Sequence, residues 1–143
     1  MSAAEKPQSP IKLPRTSESE SLKKIRHTTS HIMAMAVQKL FPKAQVTIGP
    51  WTENGFYYDF DSSEPFTEKD LKKIRKEMIK IINRKLPVIR EEVSREEAQR
   101  RIESQNEPYK LEILDSIEEP ITLYHLGDQW WDLCAGPHVA STE

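Results

Sequence analysis

Apolar positions recur along this chain with a helical period in some segments and a strand period in others. From about Glu20 to Leu40 they recur every three or four residues, which predicts a helix, and Pro42 suits its end. The apolar stripe of this helix consists of Leu22, Ile25, Thr29, Ile32, Met33, Ala36 and Leu40. His27 and His31 are one turn apart on the opposite side. The pattern therefore predicts a helix with a polar face that carries both histidines.

A second helix is predicted to begin at Thr67. Thr67 and Asp70 resemble a capping box, and Phe66 and Leu71 suit a hydrophobic staple. The predicted buried stripe consists of Leu71, Ile74, Met78, Ile81 and Ile82. The exposed face is predicted to be basic, with Glu77 as its acid, and consists of Lys72, Lys73, Arg75, Lys76, Lys80, Arg84 and Lys85. This face is either a phosphate-binding surface or the solvated side of a surface helix.

The other segments predict strands and two short helices. Residues 44–48 and 56–60 are expected to form two antiparallel strands joined by a longer loop. Ser94 with Glu97 forms a capping-box pattern that opens a short helix. The remaining predicted elements are strands at 86–93, 121–126 and 130–133, and helices at 94–105 and 109–117. Residues 134–138 are not expected to be helical, because Gly136 and Pro137 break a helix.

Length and composition narrow the class of protein. The chain has 143 residues, 36% hydrophobic and 31% charged, which predicts one domain with a real core. Its net charge of −2 excludes a general polyanion binder, so any nucleic-acid contact must use local patches. A single cysteine and the lack of a long apolar run favour a cytoplasmic protein without a membrane span. Residues 1–19, rich in Ser, Pro and charge, are expected to be a flexible polar tail.

Reactive side chains concentrate in two short strings at opposite ends of the chain. Residues 27–31 (HTTSH) and 134–138 (CAGPH) contain three of the four histidines and the only cysteine. This distribution predicts one site formed by both ends. His27, His31, Cys134 and His138 have the ligand types of a zinc site. Taken alone, the first string could be a solvated helix face and the second a strand end with a buried cysteine.

Several strings together resemble the N-terminal editing domain of bacterial-type threonyl-tRNA synthetases. They are residues 26–31 (RHTTSH), 48–50 (IGP), 54–59 (NGFYYD), 109–110 (YK) and 132–139 (DLCAGPHV). The resemblance covers about residues 20–141. The histidine and cysteine signature also occurs in editing domains of alanyl-tRNA synthetases and in free-standing relatives, but the NGFYYD string favours the threonyl branch.

This resemblance implies an α+β fold for residues 20–143, with helices packed on an antiparallel sheet and an active cleft. It implies hydrolysis of serine wrongly attached to tRNA(Thr), since one methyl group gives a synthetic site only ~1–3 kcal/mol of discrimination. His27 and Lys110 match family positions that orient or activate the attacking water, and His31 is assigned to the same site. Asp132 is expected to recognise the substrate amine or hydroxyl, and Cys134, His138 and Tyr109 to line the substrate pocket.

The resemblance also predicts partners and leaves alternatives. The 3′ end of tRNA(Thr) and the remaining domains of a synthetase are the expected partners, and the expected RNA contacts are Lys73, Lys76, Lys80 and Arg84. No counterpart of a class II catalytic core is present, so the chain is expected to be a synthetase piece or a free-standing deacylase. No metal is expected to be required. The alternatives are a zinc-dependent, free-standing deacylase of the alanyl type and a non-catalytic tRNA-binding module. His125 is expected to be structural, and Trp130 and Trp131 to be core residues unless they stack on a base.

Overall fold

The computed structural model describes residues 20–47, 49, 51, 52 and 55–143, a mixture of helices and short antiparallel strands. The helices are α1 (Glu20–Leu40), α2 (Glu68–Asn83), α3 (Arg95–Ser104) and α4 (Pro108–Ser116). The strands are β1 (Gln45–Val46), β2 (Trp51–Thr52), β3 (Gly55–Phe56), β4 (Phe60–Asp61), β5 (Val88–Val93), β6 (Ile121–Leu126) and β7 (Trp130–Leu133). The predicted tail at 1–19, together with residues 48, 50 and 54 of the strings above, lies outside the described residues.

Helix α1 lies in the centre of the molecule. From His27 to Val37 most of its residues are buried, on several sides of the helix. This argues against the alternative of a solvated histidine face, since His27 and His31 are only 8% and 2% exposed. The predicted stripe also changes, because Ile25 is 51% exposed. A helix covered on more than one side buries residues outside its apolar stripe, provided that their polar atoms find partners.

Helix α2 packs on α1 and begins as predicted. Thr67 accepts from the backbone N–H of Asp70, and the Asp70 carboxylate accepts from the Thr67 N–H, which completes the capping box. Ile74 and Ile81 are buried against α1 in one core cluster. Leu71 is 56% exposed, so its predicted place in the buried stripe is wrong. Glu77 is buried instead, because Lys39 of α1 pairs with its carboxylate at 2.9 Å.

The main sheet is antiparallel, with the order β5–β6–β7. Its strands agree with the predicted segments to within two residues, and β6 and β7 are joined by a turn at Gly127. Arg90, Tyr124 and Asp132 are register partners across the three strands, and they therefore share one face. Helix α3 is capped by Ser94, whose side chain accepts from the Glu97 N–H. The sheet thus brings Asp132 and the segment after β7 to a defined position.

The strands between α1 and α2 are shorter than predicted. Gln45 and Val46 pair with Phe60 and Asp61, and a second small pair joins β2 to β3 inside the loop between them. The predicted antiparallel arrangement is confirmed, but the long loop itself folds back. Ser30 of α1 donates to the Gly49 carbonyl at 2.7 Å, which ties this loop to the central helix.

Two apolar clusters form the core of the described residues. One lies among α1, α2 and the short strands and includes Leu126 and Trp130, while the other contains Ile102, Leu114 and Ile121. Strands β6 and β7 contribute to both clusters. The arrangement confirms the predicted α+β class. Within the described residues, no helix is both long enough and apolar enough to span a membrane.

Candidate functional site

The two reactive strings meet in the folded chain. The carbonyl of Pro137 lies 3.1 Å from His27 Nδ1, and Thr28 Oγ1 lies 2.9 Å from His138 Nδ1. Thr28 also accepts from the backbone N–H of Val139 at 3.1 Å. Four potential ligand atoms, one each from His27, His31, Cys134 and His138, lie within 4.8 Å of one another. The prediction that both chain ends build one cluster therefore corresponds to the observed geometry.

The turn after β7 holds its shape because of Gly136. Its φ of +83° is a left-handed conformation that disfavours other residues. A Cβ at this position would also collide with the Tyr124 hydroxyl. The Gly136 N–H donates to Cys134 Sγ at 3.2 Å, and the Thr122 hydroxyl donates to the Cys134 carbonyl. The turn is therefore fixed from both sides of the cysteine.

Cys134 lies between two imidazole rings. Its sulfur is 3.2 Å from His27 Nε2 and 3.3 Å from His138 Nε2. Burial raises the pKa of the Cys134 thiol to about 12, with the Gly136 N–H only partly offsetting this effect. The sulfur therefore carries its proton at neutral pH and can donate it to one of the two rings. A protonated thiol is a weak nucleophile.

His27 is held in one tautomer. The Pro137 carbonyl can only accept, so Nδ1 carries the proton and donates it. Burial lowers the pKa of His27, and the Pro137 carbonyl and the charge of Asp132 oppose this only in part. At neutral pH Nε2 therefore carries a lone pair, which can accept a hydrogen bond from the Cys134 thiol or a proton from a substrate water. This is the property that a general base needs.

The other two histidines of the cluster are neutral as well. Burial lowers the pKa of His31 to about 4, and burial together with the neighbouring rings lowers the pKa of His138 to about 2. The His138 ring lies 4.1 Å from that of His27 and 4.4 Å from that of His31, measured between centroids. His31 Nδ1 is buried without a hydrogen-bond partner among the described residues. The cluster therefore presents nitrogen lone pairs rather than positive charge.

Asp132 is the buried acid of the site. Its Oδ2 accepts from the Tyr58 hydroxyl at 2.7 Å and lies 3.5 Å from His31 Nε2. Lys110 Nζ lies 3.1 Å from Oδ1. Burial by itself would raise the pKa of Asp132, but Lys110, His31 and Tyr58 outweigh it and lower this pKa below its ordinary value. Conversely, burial and Asp132 raise the pKa of Tyr58. Asp132 is thus a carboxylate held among donors.

A cleft of about 280 Å³ opens onto this cluster. It is lined by His27, His31, Thr47, Gly49, Ile113, Ile117, Asp132, Leu133, Cys134, Ala135 and Gly136. Lys110 does not line it, because this residue is 1% exposed and reaches Asp132 from behind. Tyr109 is not part of the cleft wall either, since its hydroxyl donates to Asp61 on β4. Of the residues predicted for catalysis or substrate binding, His138 also does not line the cleft, although it belongs to the four-residue cluster.

The cluster fits a zinc ion by the chemistry of its donors. Three imidazoles and one thiol are a usual zinc ligand set, and four side chains can complete a tetrahedron. His27 donates its other ring N–H to a carbonyl, which is the usual way in which proteins orient a ligating histidine. The unpartnered Nδ1 of His31 agrees with a role as ligand. His27, His31, Cys134 and His138 are therefore the residues that would hold a metal.

Several residues around the site were not singled out from the sequence. Tyr58 was quoted only as part of a string, yet it is buried and bonds Asp132. Gln38 and Glu107 join a buried polar network behind the cleft. Gln38 follows His31 by seven residues, so helical spacing could have placed it on the histidine face. Trp130 is a core residue whose indole N–H donates to Gln38, which argues against base stacking there.

Two further predicted features lie away from the cleft. His125 bonds Glu91 at 2.9 Å and takes no part in the cluster, as expected for a structural residue. On α2 the predicted RNA contacts Lys73, Lys76, Lys80 and Arg84 are all exposed. Glu77 is buried, so the exposed face of α2 does not include the acid that the sequence pattern placed there.

Comparison with known proteins shows which proteins this chain resembles. A model described as the threonyl and alanyl tRNA synthetase second additional domain matches residues 121–143. The chain is 85% identical over 132 residues to a threonine–tRNA ligase of Synechocystis sp., which is 92% of this chain and 22% of that protein. A threonine–tRNA ligase of Thermosynechococcus vestitus is 80% identical over 133 residues, which cover 93% of this chain and 22% of the ligase. The chain thus spans about a fifth of the length of the curated relatives it matches. The chain is thus similar to one segment of threonine–tRNA ligases, in agreement with the resemblance, and its residues 121–143 match the second additional domain.

Proposed function

We propose that this chain hydrolyses the ester bond of serine wrongly attached to tRNA(Thr), as the editing part of a threonine–tRNA ligase. The observation that carries the proposal is a small cleft whose wall includes His27, Cys134 and the buried Asp132, with His138 in contact with Cys134. The relatives are named as threonine–tRNA ligases, which supplies the substrate class. We accordingly expect the chain to act in the cytoplasm, where tRNA is charged.

Editing compensates for the limited discrimination between threonine and serine in the ligase reaction. Serine lacks one methyl group of threonine, and a pocket built for threonine rejects it by only ~1–3 kcal/mol. A second, smaller cleft can accept the seryl group and exclude the threonyl methyl by collision. The cleft described here is small and is walled by side chains and backbone that packing holds in place.

His27 is the proposed general base. A water molecule in the cleft attacks the ester carbonyl while His27 Nε2 removes one of its protons. His27 then returns this proton to the ribose oxygen as the carbon–oxygen bond breaks, which leaves serine and a free tRNA end. The Pro137 carbonyl holds the ring in position through both steps. Cys134, being protonated, is not the proposed nucleophile.

Asp132 is proposed to bind the α-ammonium group of the aminoacyl ester. It is a carboxylate on the cleft wall, and ionic hydrogen bonds of this kind are among the stronger ones in proteins. Lys110 touches Asp132 from behind and is proposed to position it rather than to orient or activate the attacking water. This changes the role that the resemblance implied for Lys110.

A zinc-dependent deacylase of the alanyl type is the second candidate, because the four-residue cluster fits that metal. When bound, zinc supplies Lewis acidity that lowers the pKa of a water molecule. In that case His27, His31, Cys134 and His138 hold the ion and are not free to act as bases.

The deciding experiment compares Ser-tRNA(Thr) with Thr-tRNA(Thr) as substrates of the 143-residue chain, with and without a chelator. Chelator-resistant loss of serine with threonine spared is the expected result. Hydrolysis only with added zinc would favour the second candidate. No hydrolysis of either substrate by a chain that binds the tRNA would favour a non-catalytic tRNA-binding module.

A further inference from the structure

A buried set of charges lies behind the cleft. Lys110 Nζ is 3.1 Å from Asp132 Oδ1 and 3.6 Å from Glu107 Oε2. Lys110, Asp132 and Glu107 are 1%, 5% and 7% exposed. The rings of Trp130 and Trp131 lie within 6 Å of the ammonium, at 5.7 and 5.2 Å from their centroids. Water therefore has little access to this set, and two acids share a single cation.

The groups around Glu107 are of the kind that stabilise a carboxylate. The indole N–H of Trp130 donates to Gln38 Oε1 at 2.7 Å, which turns the Gln38 amide nitrogen toward Glu107. This nitrogen donates to Glu107 Oε1 at 3.0 Å. The other oxygen, Oε2, has no hydrogen-bond partner among the described residues and faces the Lys110 ammonium. Both oxygens therefore meet donors or a cation, which requires no proton on the acid.

The same argument applies to Asp132. Its oxygens accept from the Tyr58 hydroxyl and the Leu133 N–H as well as from Lys110. The described groups that meet Asp132 and Glu107 thus include one full positive charge, on Lys110. Two negative charges and one positive charge leave the set with an excess negative charge, and Asp132 is its member on the cleft wall.

We propose that Glu107 balances the charge of Lys110, so that Asp132 keeps a net negative charge toward the cleft and selects a substrate with a protonated amine. Without Glu107, Lys110 and Asp132 would form a neutral pair and offer little attraction to a cation. Glu107 is then a positioning and specificity residue that acts through Lys110 and Asp132. This inference rests on the proposed function only in that the cleft binds an aminoacyl group.

The test measures the preference for a free amine. The probe is a seryl-adenosine analogue in which an amide replaces the ester, and its N-acetylated form is the uncharged comparison. Calorimetry in the presence of chelator gives the affinity of both compounds for wild-type chain, Glu107→Gln and Glu77→Gln. The last is a matched control, because Glu77 is a buried acid paired with Lys39 in the contact between α1 and α2.

We expect the wild-type chain to prefer the free amine, and Glu107→Gln to reduce this preference by about tenfold or more, as one charge does at an effective dielectric constant of about 20. Affinity for the N-acetylated form and the behaviour of Glu77→Gln should not change. A merely structural role of Glu107 would weaken binding of both compounds alike. Equal preference in wild type and Glu107→Gln, or no preference in wild type, would overturn the proposal.

A second variant covers the case in which Glu107→Gln does not fold. Gln38→Lys places an ammonium beside Glu107 Oε1 and neutralises that acid by pairing instead of removal. Gln38→Lys should also reduce the preference for the free amine over the N-acetylated form. An unchanged preference would count against the proposal. Because the analogue is not hydrolysed, the outcome is separate from the proposed function: a chain that selects the amine but leaves Ser-tRNA(Thr) intact would refute only the latter.

Discussion

At the residue scale, His27 shows how a backbone carbonyl can determine the chemistry of a side chain. The Pro137 carbonyl holds the proton on Nδ1, and burial keeps the ring neutral, so that Nε2 is a base aimed at the cluster. The helical pattern around His27 predicts the face of α1 on which its side chain lies. It does not predict the hydrogen-bond partner, Pro137, which lies 110 residues away along the chain.

Replacing His27 by Ala should lower the rate of Ser-tRNA(Thr) hydrolysis on the order of a hundredfold or more, as expected for loss of a general base. The readout is single-turnover deacylation with enzyme in excess, so that weak tRNA binding does not limit the rate. His125→Ala is the matched control, because His125 bonds Glu91 outside the cluster and should leave the rate unchanged. Equal rates for wild type and His27→Ala would remove His27 from the mechanism.

Gly136 is the second residue whose identity decides the site. Gly136→Ala should cost about 1–3 kcal/mol of unfolding free energy, since the new Cβ meets the Tyr124 hydroxyl and an unfavourable φ. It should also slow deacylation, because Cys134 and His138 shift with the turn. Urea unfolding measures the first effect. Gly55→Ala is the control, as a Cβ there meets nothing within 4 Å, and a loss as large as that of Gly136→Ala would contradict the explanation.

At the element scale, α1 and α2 illustrate two ways in which a polar helix face is used. In α1 the polar face turns inward and supplies His27, His31 and Gln38 to a buried network. In α2 the polar face stays exposed and is strongly basic, while its one central acid, Glu77, is drawn into the contact with α1. The same helical period thus gives a buried polar face in α1 and an exposed polar face in α2, depending on what packs against each helix.

The basic face of α2 predicts contact with tRNA phosphates. Reversing Lys73 or Lys80 to Glu should weaken tRNA binding and flatten its salt dependence, because each lost phosphate contact removes roughly 0.7 to 0.9 from the logarithmic slope. Filter binding across a salt series measures both. Arg100→Glu reverses an exposed cation on α3 and serves as the control. Unaltered affinity at low salt in the α2 variants would exclude this surface from binding.

At the scale of the whole molecule, the two core clusters share strands β6 and β7, and β7 contributes Asp132 and Leu133 to the cleft wall. Strands β6 and β7 belong to both, with Leu126 and Trp130 in one and Ile121 in the other. Asp132 stands on β7 between them, so residues from α1, α4 and the sheet reach it together. The position of the Asp132 carboxylate therefore depends on several elements of the fold rather than on one.

The contact between the main sheet and α3 predicts how stability depends on pH. Hydrogen bonds from Arg101 and His125 lower the pKa of Glu91 from 4.5 to about 2. A lowered folded-state pKa stabilises the fold above the unfolded pKa, and this contribution is lost as pH falls from about 4.5 toward about 2. Because the carboxylate is partly exposed, solvent screening limits the contribution to about 1 kcal/mol or less.

Glu91→Gln should therefore lower the unfolding free energy at pH 6, and the difference from wild type should shrink toward pH 3. Urea unfolding at several pH values gives this comparison. Glu64→Gln, an exposed acid in the loop before α2, is the control and should change little at either pH. A difference that grows as pH falls would contradict the assigned sign.

Local pattern alone determined much of the secondary structure and the similarity to threonine–tRNA ligases. The capping box at Thr67, the period of α1 and the turn at Gly127 depend on neighbours within a few residues, so the sequence contains all the information that they need. The two strings that contain His27 and Cys134 also identify one cluster before any fold is known. The placement of Tyr109 and Lys110 was not accessible in this way, because adjacent residues on a helix point in different directions and only packing decides which one faces the cleft.

Tertiary structure alone decided which polar groups are buried. Glu77 and Glu107 read as ordinary surface acids, and each became buried because a residue distant in sequence, Lys39 or Gln38, supplies a partner. Burial of a charge depends on such partners, since an unpaired buried charge is too costly. The sequence thus determines which residues can carry the chemistry, whereas contacts between distant segments determine their charge and orientation.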